Sequence, residues 1–274
     1  MVLSIFLLGA LALALWLASA PARARRRRAR LSTQPLPAAW RAIVEARVPA
    51  VARLPAALRR RLETRLQVFL AEKRFVGCDG LVVSDEMRVV VAAQACLLLA
   101  GRAGEVFPGV REILLYPGAF VVSRTRPGAG GVVHEERRVL AGEAWSHGQI
   151  VLSWADALAG AAQPDDGHNL VVHEFAHALD HEAGAANGAP VLGPRIDPRR
   201  WAQVMGEAYA ALQWRAGTGE PTLLDPYGAA DPAEFFAVAS EVFFEQPARL
   251  AAEHAALYGA LADYYALDPA RWQP

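Results

Sequence analysis

Two histidines one helical turn apart, with a glutamate beside the first, are the residues of this chain best suited to chemistry. His173, Glu174 and His177 form the pattern H-E-x-x-H. In an α-helix, residues four apart differ by about 40° around the axis, so both imidazoles can bind one metal ion. Glu174 is turned about 100° away, where its carboxylate can take a proton from a water at the metal. Nitrogen and carboxylate ligands with one open position are typical of catalytic zinc, so the pattern predicts one Zn²⁺.

The same pattern can arise by chance on a polar helix face, which is the main alternative to a metal site. Here the two histidines stand in a mostly apolar run, NLVVHEFAHALD. Unpaired imidazoles would be costly to bury in such surroundings, because a buried polar group needs a partner. The flanking residues therefore favour metal binding.

A third ligand is needed, and the apolar segment 231–241 offers two carboxylates for it. Glu234 and Glu241 are seven residues apart, so a helix would place both on one face. Glu234 also stands three residues after Asp231, which is the spacing of a capping box. Glu241 could instead hydrogen-bond to a ligand histidine. Spacing alone leaves the choice between the two open.

The elements predicted around these residues make an α+β fold, with a helical front, a small sheet and further helices. Helical patterns occur in the segments 40–73 (two helices broken near Pro49 and Pro55), 85–100 (behind the N-cap Ser84), from 168 onward, 198–217, 232–245 and 248–265. Short β-branched or aromatic runs between Gly and Pro predict strands in the segments 112–116, 119–123 and 149–154.

The distribution of charge argues against direct binding to nucleic acid. The formal net charge is zero, but residues 1–30 hold six arginines and no acidic residue, which leaves residues 31–274 at −6. Nucleic-acid binding requires a basic face, which an acidic body does not provide. A hydrophobic content of 54% excludes an intrinsically disordered protein, and two cysteines exclude a disulfide scaffold.

The N-terminus has the pattern of a membrane anchor. Residues 2–20 are uncharged, and the six arginines follow at once, at Arg23, Arg25, Arg26, Arg27, Arg28 and Arg30. A helix over 2–20 would be about 28 Å long, close to the ~30 Å hydrocarbon core of a bilayer. The positive-inside rule then predicts a cytoplasmic body tethered to the inner membrane. A cleavable signal peptide, indicated by Ala18-Ser19-Ala20, and a non-native N-terminus are the alternatives.

Four stretches of the sequence resemble the Mlc titration factor A family of zinc peptidases. They are 169–182 (NLVVHEFAHALDHE), 225–244 (DPYGAADPAEFFAVASEVFF), 84–99 (SDEMRVVVAAQACLLL) and 113–122 (ILLYPGAFVV). The resemblance implies a zincin-like metallopeptidase core, with the H-E-x-x-H helix, a small mixed sheet and additional helices. We expect residues 1–30 to be the hydrophobic segment and arginine cluster, 31–64 a linker and helical lead-in, and 65–274 the metallopeptidase domain.

The resemblance also implies roles for individual residues. The family is similar in its active-site core to the catalytic domain of anthrax lethal factor, where a tyrosine precedes the glutamate ligand by seven residues. Tyr227 and Glu234 have this separation. Glu234 is thereby implied as the third zinc ligand with Glu241 as its support, and Tyr227 as the stabiliser of an oxyanion. The alternative for Tyr227 is an ordinary aromatic residue in a Pro-Tyr-Gly turn.

The function implied is hydrolysis of peptide bonds through a metal-activated water, in an aminopeptidase-like and regulatory enzyme. Glu174 would act as the base, and segment 149–154 as the edge strand along which a peptide substrate lies. The alternative is a binding protein, since the family is named for sequestering the repressor Mlc, which need not use the metal. The presence of Glu174 beside both histidines favours the enzyme. The expected partners are a peptide or protein substrate and an Mlc-like repressor.

Overall fold

The structure is a computed structural model that describes residues 9, 13, 14, 16–127, 133–140, 142–145 and 148–272, with the backbone alone over 120–145. Its α-helices are α1 (Ala20–Ser32), α2 (Ala38–Arg47), α3 (Ala56–Glu72), α4 (Asp85–Leu97), α5 (Trp154–Ala162), α6 (Leu170–Asp180), α7 (Pro198–Thr218), α8 (Pro232–Glu245), α9 (Pro247–Glu253) and α10 (Ala255–Tyr265). Its strands are β1 (Arg74–Gly77), β2 (Glu112–Tyr116), β3 (Phe120–Pro127), β4 (Val133–Leu140), β5 (Gly142–Trp145) and β6 (Gln149–Ser153). The chain is thus mostly helical with little sheet, and the predicted mixture of helices and strands is confirmed.

A four-stranded sheet carries its strands in the order β1-β2-β6-β5. The first three strands are parallel, and β5 runs antiparallel to β6 at the edge, with Trp145 opposite Gln149. Strands β3 and β4 pair with each other in a separate two-stranded sheet. The sheet is small and mixed, as the family resemblance implied, although its strands β1 and β5 were missed, as was β4 of the second sheet.

Helix α4 forms the centre of the hydrophobic core. Its start was predicted from Ser84, whose hydroxyl accepts a hydrogen bond from the Met87 N–H at 3.2 Å. Asp85 and Glu86 follow in the first turn, where negative charge is favourable to the helix dipole. Every residue from 89 to 97 is buried, because α2, α3 and α6 pack around this helix. The helix α6 that carries H-E-x-x-H therefore lies against the most buried part of the molecule.

The last predicted helix, 248–265, is two helices. Helices α9 and α10 meet at His254, whose φ of −136° and ψ of 55° lie outside the helical region. The bend lets α9 pack against α8 while α10 also reaches α7. No glycine or proline marks this position in the sequence, which explains why a single helix was predicted.

The helix near the N-terminus that carries the arginine cluster is folded onto the body, with Arg28 partly buried and the other five arginines exposed. Helix α1 contains all six arginines and packs against α3. Arg28 Nε lies 2.6 Å from Glu72 Oε1, and this ion pair raises the pKa of Arg28 despite the opposing effect of burial. Within the described part of the chain, no helix is both long and apolar enough to cross a bilayer.

These findings contradict the prediction of a cytoplasmic body tethered to the inner membrane by residues 2–20, and the prediction is wrong. The hydropathy pattern carried no information on the ion pairs of Arg28, which join α1 to the body. Residues 2–8, 10–12 and 15 of the predicted anchor helix lie outside the described residues.

Candidate metal centre

Helix α6 turns one face to the core and another toward helix α8. Asn169 caps its start, with the side-chain oxygen accepting a hydrogen bond from the Val172 N–H at 3.0 Å. The buried residues of the helix are apolar at Val171, Val172, Phe175, Ala176 and Leu179, and the carboxyl side chains of Glu174 and Asp180 are buried with them. The side chains of His173 and His177 are 13% and 12% exposed. The apolar pattern of the helix thus orients both imidazoles toward the carboxylates of α8.

Three potential ligand atoms meet between α6 and α8, from His173, His177 and Glu234. The two histidine Nε2 atoms are 3.2 Å apart, and Glu234 Oε2 lies 3.1 Å from the first and 3.3 Å from the second. A tetrahedral zinc ion with bonds of about 2.1 Å holds its ligand atoms about 3.4 Å apart. The triangle therefore has the size that such an ion requires.

The hydrogen bonding of His173 also fits a cation. Its Nδ1–H donates to Glu241 Oε1 at 2.7 Å, which leaves a lone pair on Nε2 of the neutral ring. That lone pair faces two further atoms, Glu234 Oε2 and His177 Nε2. The carboxylate oxygen of Glu234 is itself a hydrogen-bond acceptor. Acceptors this close need a proton or a cation between them, and a metal ion satisfies all three atoms at once.

The two glutamates nearest the histidines have pKa values shifted in opposite directions. Burial raises the pKa of Glu234, but protonated imidazoles at His173 and His177 outweigh this through hydrogen bonds and charge and hold that pKa well below the usual range. Glu174 is 4% exposed, and burial raises its pKa. One of its carboxylate oxygens has no hydrogen-bond partner among the described residues. Glu234 is thus held ionised, and Glu174 takes up a proton readily. Metal-assisted hydrolysis requires this combination of an ionised metal ligand and a carboxyl that can exchange a proton.

Helix α8 supplies both carboxylates of the 231–241 segment. Asp231 caps it by accepting hydrogen bonds from the N–H groups of Ala233 at 2.9 Å and Glu234 at 3.0 Å. The Glu234 side chain turns to the histidines rather than back to the cap. Glu241, two turns later, accepts from His173. Glu234 thus lies beside the Nε2 atoms of both histidines, whereas Glu241 contacts Nδ1 of His173. Sequence spacing alone could not distinguish these two positions.

Tyr227 lies at the open side of the cluster. It follows Asp225, whose carboxylate accepts the Tyr227 N–H at 2.8 Å, and it belongs to a short 3-10 helix, Pro226–Ala229. Its ring centroid is 6.2 Å from that of His173, and the residue is 53% exposed. Partial burial and the charge of Glu234 raise the pKa of Tyr227 to about 12. The hydroxyl therefore stays protonated at neutral pH and can donate a hydrogen bond to a ligand.

Comparison with known proteins agrees with this geometry. The profile of a family described as glucose-regulated metallo-peptidase M90 matches residues 22–266. The chain belongs to this family. The protein slr2042 of Synechocystis sp. is 43% identical to it over 88% of each chain. Mlc titration factor A of Pectobacterium atrosepticum is 34% identical over 84% of this chain and 86% of its own, and that of Klebsiella pneumoniae strain 342 is 35% identical over 81% and 84%.

Membership of the M90 family confirms the resemblance to Mlc titration factor A that the sequence motifs indicated. The family is one of metallopeptidases, and the cluster of His173, His177 and Glu234 is compatible with a metal site. The family-level prediction and the local geometry thus support each other.

The strand predicted to hold a substrate at the sheet edge lies inside the sheet of this M90 chain. Strand β6, which corresponds to segment 149–154, pairs with β2 on one side and with β5 on the other. Strand β5 is the edge, and it packs beside α6. The edge next to the cluster is therefore Gly142–Trp145. This strand escaped notice because four residues are too few to show a period.

Asn169 and Glu245 extend the support of the cluster, and neither was predicted to do so. The Asn169 backbone N–H donates to Glu241 Oε2 at 2.6 Å, and its side-chain amide donates to Glu245 Oε1 at 3.0 Å. Glu245 is 4% exposed. It stands four residues after Glu241 on α8, so same-face spacing could have identified it. Asn169 thus links the start of α6 to two carboxylates of α8.

A loop after α6 connects the two helices that carry the cluster residues. Asp180, the last residue of α6, accepts a hydrogen bond from the Gly188 N–H at 2.7 Å. Gly188 has a φ of +75°, and a Cβ there would lie 2.3 Å from the carbonyl oxygen of Pro232, the first residue of α8. Only glycine fits this close approach. The loop therefore fixes the end of one helix against the start of the other.

We expect Glu241→Ala to weaken zinc binding by roughly 10–100-fold, as the loss of a carboxylate behind a ligand histidine does. The substitution removes the acceptor of the His173 Nδ1–H and leaves that ring free to rotate. Competition with a chromophoric chelator measures the affinity. Glu253→Ala is the control on an exposed glutamate. An affinity equal to that of the wild type would show that Glu241 does not orient His173.

We expect Glu245 to make the folded chain more stable as the pH falls. Burial raises its pKa from 4.5 to about 8, so the folded state binds this proton more tightly than the unfolded state does. The resulting stabilisation is fully present below the unfolded-state pKa of 4.5, and it is lost as the pH rises through the folded-state pKa of about 8. The urea concentration at the unfolding midpoint should therefore decrease as the pH is raised from about 5 to about 8, and this decrease should be larger in the wild type than in Glu245→Gln. Parallel pH profiles for the two proteins would contradict the assignment.

Proposed function

We propose that the chain is a zinc-dependent peptidase that hydrolyses peptide bonds. The observation that carries the proposal is the meeting of two imidazole nitrogens and one carboxylate oxygen within 3.3 Å of one another. This donor set, with a side open to substrate, suits catalytic zinc better than magnesium or calcium, which prefer oxygen ligands alone. We assign the activity to residues 65–274, with 1–30 and 31–64 as N-terminal segments.

Glu174 is the proposed general base. When bound, zinc would polarise the scissile carbonyl and lower the pKa of a neighbouring water. Glu174 accepts the proton of the attacking water and passes it to the leaving amine. Its burial and raised pKa support this role, because a carboxyl that holds a proton more tightly than usual can both take it and deliver it.

Tyr227 is the proposed oxyanion donor. The pKa of about 12 keeps its hydroxyl protonated, and its exposed position beside His173 lets the hydroxyl exchange its hydrogen bond to Glu234 for one to a substrate carbonyl. A hydrogen bond that forms only as negative charge develops lowers the barrier without tightening substrate binding.

Tyr227→Phe should lower kcat/KM by about 10²-fold while zinc content stays unchanged, since the ring remains and only the donor is lost. Steady-state assays on one peptide, with elemental analysis of the same samples, measure both quantities. Tyr258→Phe is the matched control, because that hydroxyl bonds to Asp268 away from the cluster. A reduced zinc content in Tyr227→Phe would instead place the tyrosine among the ligands.

The edge strand β5 is the proposed place where the substrate backbone pairs. An extended peptide can add to the free edge of a sheet through main-chain hydrogen bonds, and this edge lies beside the helix that carries the site. An aminopeptidase-like preference and a regulatory role form the finer part of the proposal, and they rest on the family resemblance.

A second function is favoured by a separate observation, the name of the relatives. Proteins that are 34–35% identical over most of the chain are called Mlc titration factor A. By this likeness the chain would bind an Mlc-like transcriptional repressor, and such binding would not require the metal. The two functions differ in their dependence on the site residues, which makes them separable.

A peptide-library digest followed by mass spectrometry tests the proposed enzyme. The arms are the protein as purified, after treatment with a chelator, and after zinc is added back. Cleavage that disappears with the chelator and returns with zinc supports the proposal. A parallel library with acetylated N-termini tests the aminopeptidase preference, because an aminopeptidase leaves blocked peptides intact. No cleavage in any arm would leave repressor binding as the function.

A further inference from the structure

A cavity of about 530 Å³ lies between α1, α3 and the loop at 104–106. It shares no residue with the metal cluster. Its wall carries four arginines, and its remaining lining includes two apolar side chains: Arg28, Arg60, Arg61, Arg65, Val68 and Val106. A cavity of this size is typical of sites for small molecules.

Two of the arginines are held in place by neutral partners. Arg61 Nη2 donates to the carbonyl oxygens of Arg102 at 2.9 Å and Gly101 at 3.2 Å. Arg65 donates to the same Arg102 carbonyl and to that of Gly104 at 3.3 Å. A carbonyl group orients a guanidinium without cancelling its charge. Both cations are therefore fixed in position yet remain uncompensated.

Carboxylates of the described residues do not balance this charge. The one acidic residue of the lining, Glu105, already pairs with Arg28, which also bonds to Glu72. In the described part of the chain, no carboxylate lies within ion-pair distance of Arg60, Arg61 or Arg65. Burial and the neighbouring Arg61 and Arg102 together lower the pKa of Arg65, as expected for a cation without an anionic partner.

The arrangement opposes helix stability unless an anion is present. Arg61 and Arg65 are four residues apart on α3, and like charges at this spacing destabilise a helix. Ala57, in the first turn of α3, also lines the cavity, so the positive end of the helix dipole adds to the same field. The charges thus line one partly open cavity.

We propose that this cavity binds a small molecule that carries a phosphate group. A guanidinium donates charge-assisted hydrogen bonds to phosphate oxygens, and three arginines without a carboxylate partner among the described residues line this cavity. The apolar side chains of Val68 and Val106 would contact the carbon part of a phosphate ester. A small ligand fits better than a nucleic acid, because the remainder of the body is acidic and a strand requires an extended basic face.

Isothermal titration of the full chain with inorganic phosphate and with glycerol 3-phosphate tests the site. We expect Arg60→Ala combined with Arg61→Ala to weaken binding at least tenfold, and both residues are exposed, so the variant should fold. Arg200→Ala is the control, an exposed arginine outside the cavity. Tighter binding of glycerol 3-phosphate would identify a phosphate ester, and equal binding would identify free phosphate.

Phosphate can also bind a metal centre, so the titration is repeated with His173→Ala. Binding in the cavity should persist there with unchanged affinity, whether or not the proposed peptidase activity exists. Three results would overturn the proposal. They are a lower affinity in His173→Ala, an affinity in the arginine variant equal to that of the wild type, and no heat of binding with either probe.

Discussion

Replacing Glu174 by glutamine should reduce peptide hydrolysis by about 10²–10⁴-fold, the usual contribution of a general base. Glutamine keeps the size of the side chain but cannot accept the proton of the attacking water. Zinc content and fold should stay unchanged, because Glu174 lies outside the group formed by His173, His177 and Glu234. The measurements are kcat/KM on a peptide from the library, elemental analysis and circular dichroism on the same preparation.

Glu182→Gln is the matched control, since Glu182 follows the same helix and is exposed. It should keep its activity. Near-normal turnover of Glu174→Gln would remove this residue from the mechanism, and loss of zinc from it would make it a ligand. Binding to an Mlc-like repressor should survive the substitution, so a variant that is inactive but still binds would show that both functions coexist.

His173→Ala and Glu234→Ala should each lower bound zinc from about one ion per chain to nearly none, because two remaining ligands do not hold a catalytic zinc ion in place. Each removes one corner of the triangle, whose sides measure 3.1–3.3 Å. Elemental analysis after dialysis against a weak chelator measures the loss. Hydrolysis should disappear in parallel with the metal.

His168→Ala serves as the control for this pair, because that imidazole is 64% exposed and pairs only loosely with Asp225. Full zinc content is expected there. The assignment of Glu234 fails if Glu241→Ala empties the site while Glu234→Ala retains the ion. In that case Glu234 would act only in the first turn of α8, where it follows the capping residue Asp231.

The parts of the site that depend on local sequence were predictable. The spacing of His173 and His177 places them on one helical face in any fold, and Asp231-Pro232 sets the start of α8 at the observed residue. Ser84 likewise caps α4 as expected. In each case residues within one or two turns of each other determine the result, so no knowledge of the tertiary structure was needed.

The parts that depend on distant contacts were not predictable in this way. Strands β1 and β5 have four residues each, too few for a period, and they exist because β2 and β6 pair with them. The bend at His254 follows from the different partners of α9 and α10. The contact between Arg28 and Glu72 spans 44 residues, so the hydropathy of the N-terminus gave no sign of it.

The close approach of Gly188 to Pro232 has a consequence for any survey of single substitutions. A side chain at Gly188 would push the end of α6 away from the start of α8. The histidine nitrogens on α6 and the Glu234 carboxylate on α8 would then separate. A library selected for activity should therefore be depleted of every variant at this position, as it would be at His173. Gly188 would then be intolerant to mutation although it contacts no ligand. A map of functional residues based on mutational tolerance alone would wrongly assign this packing residue to the catalytic site.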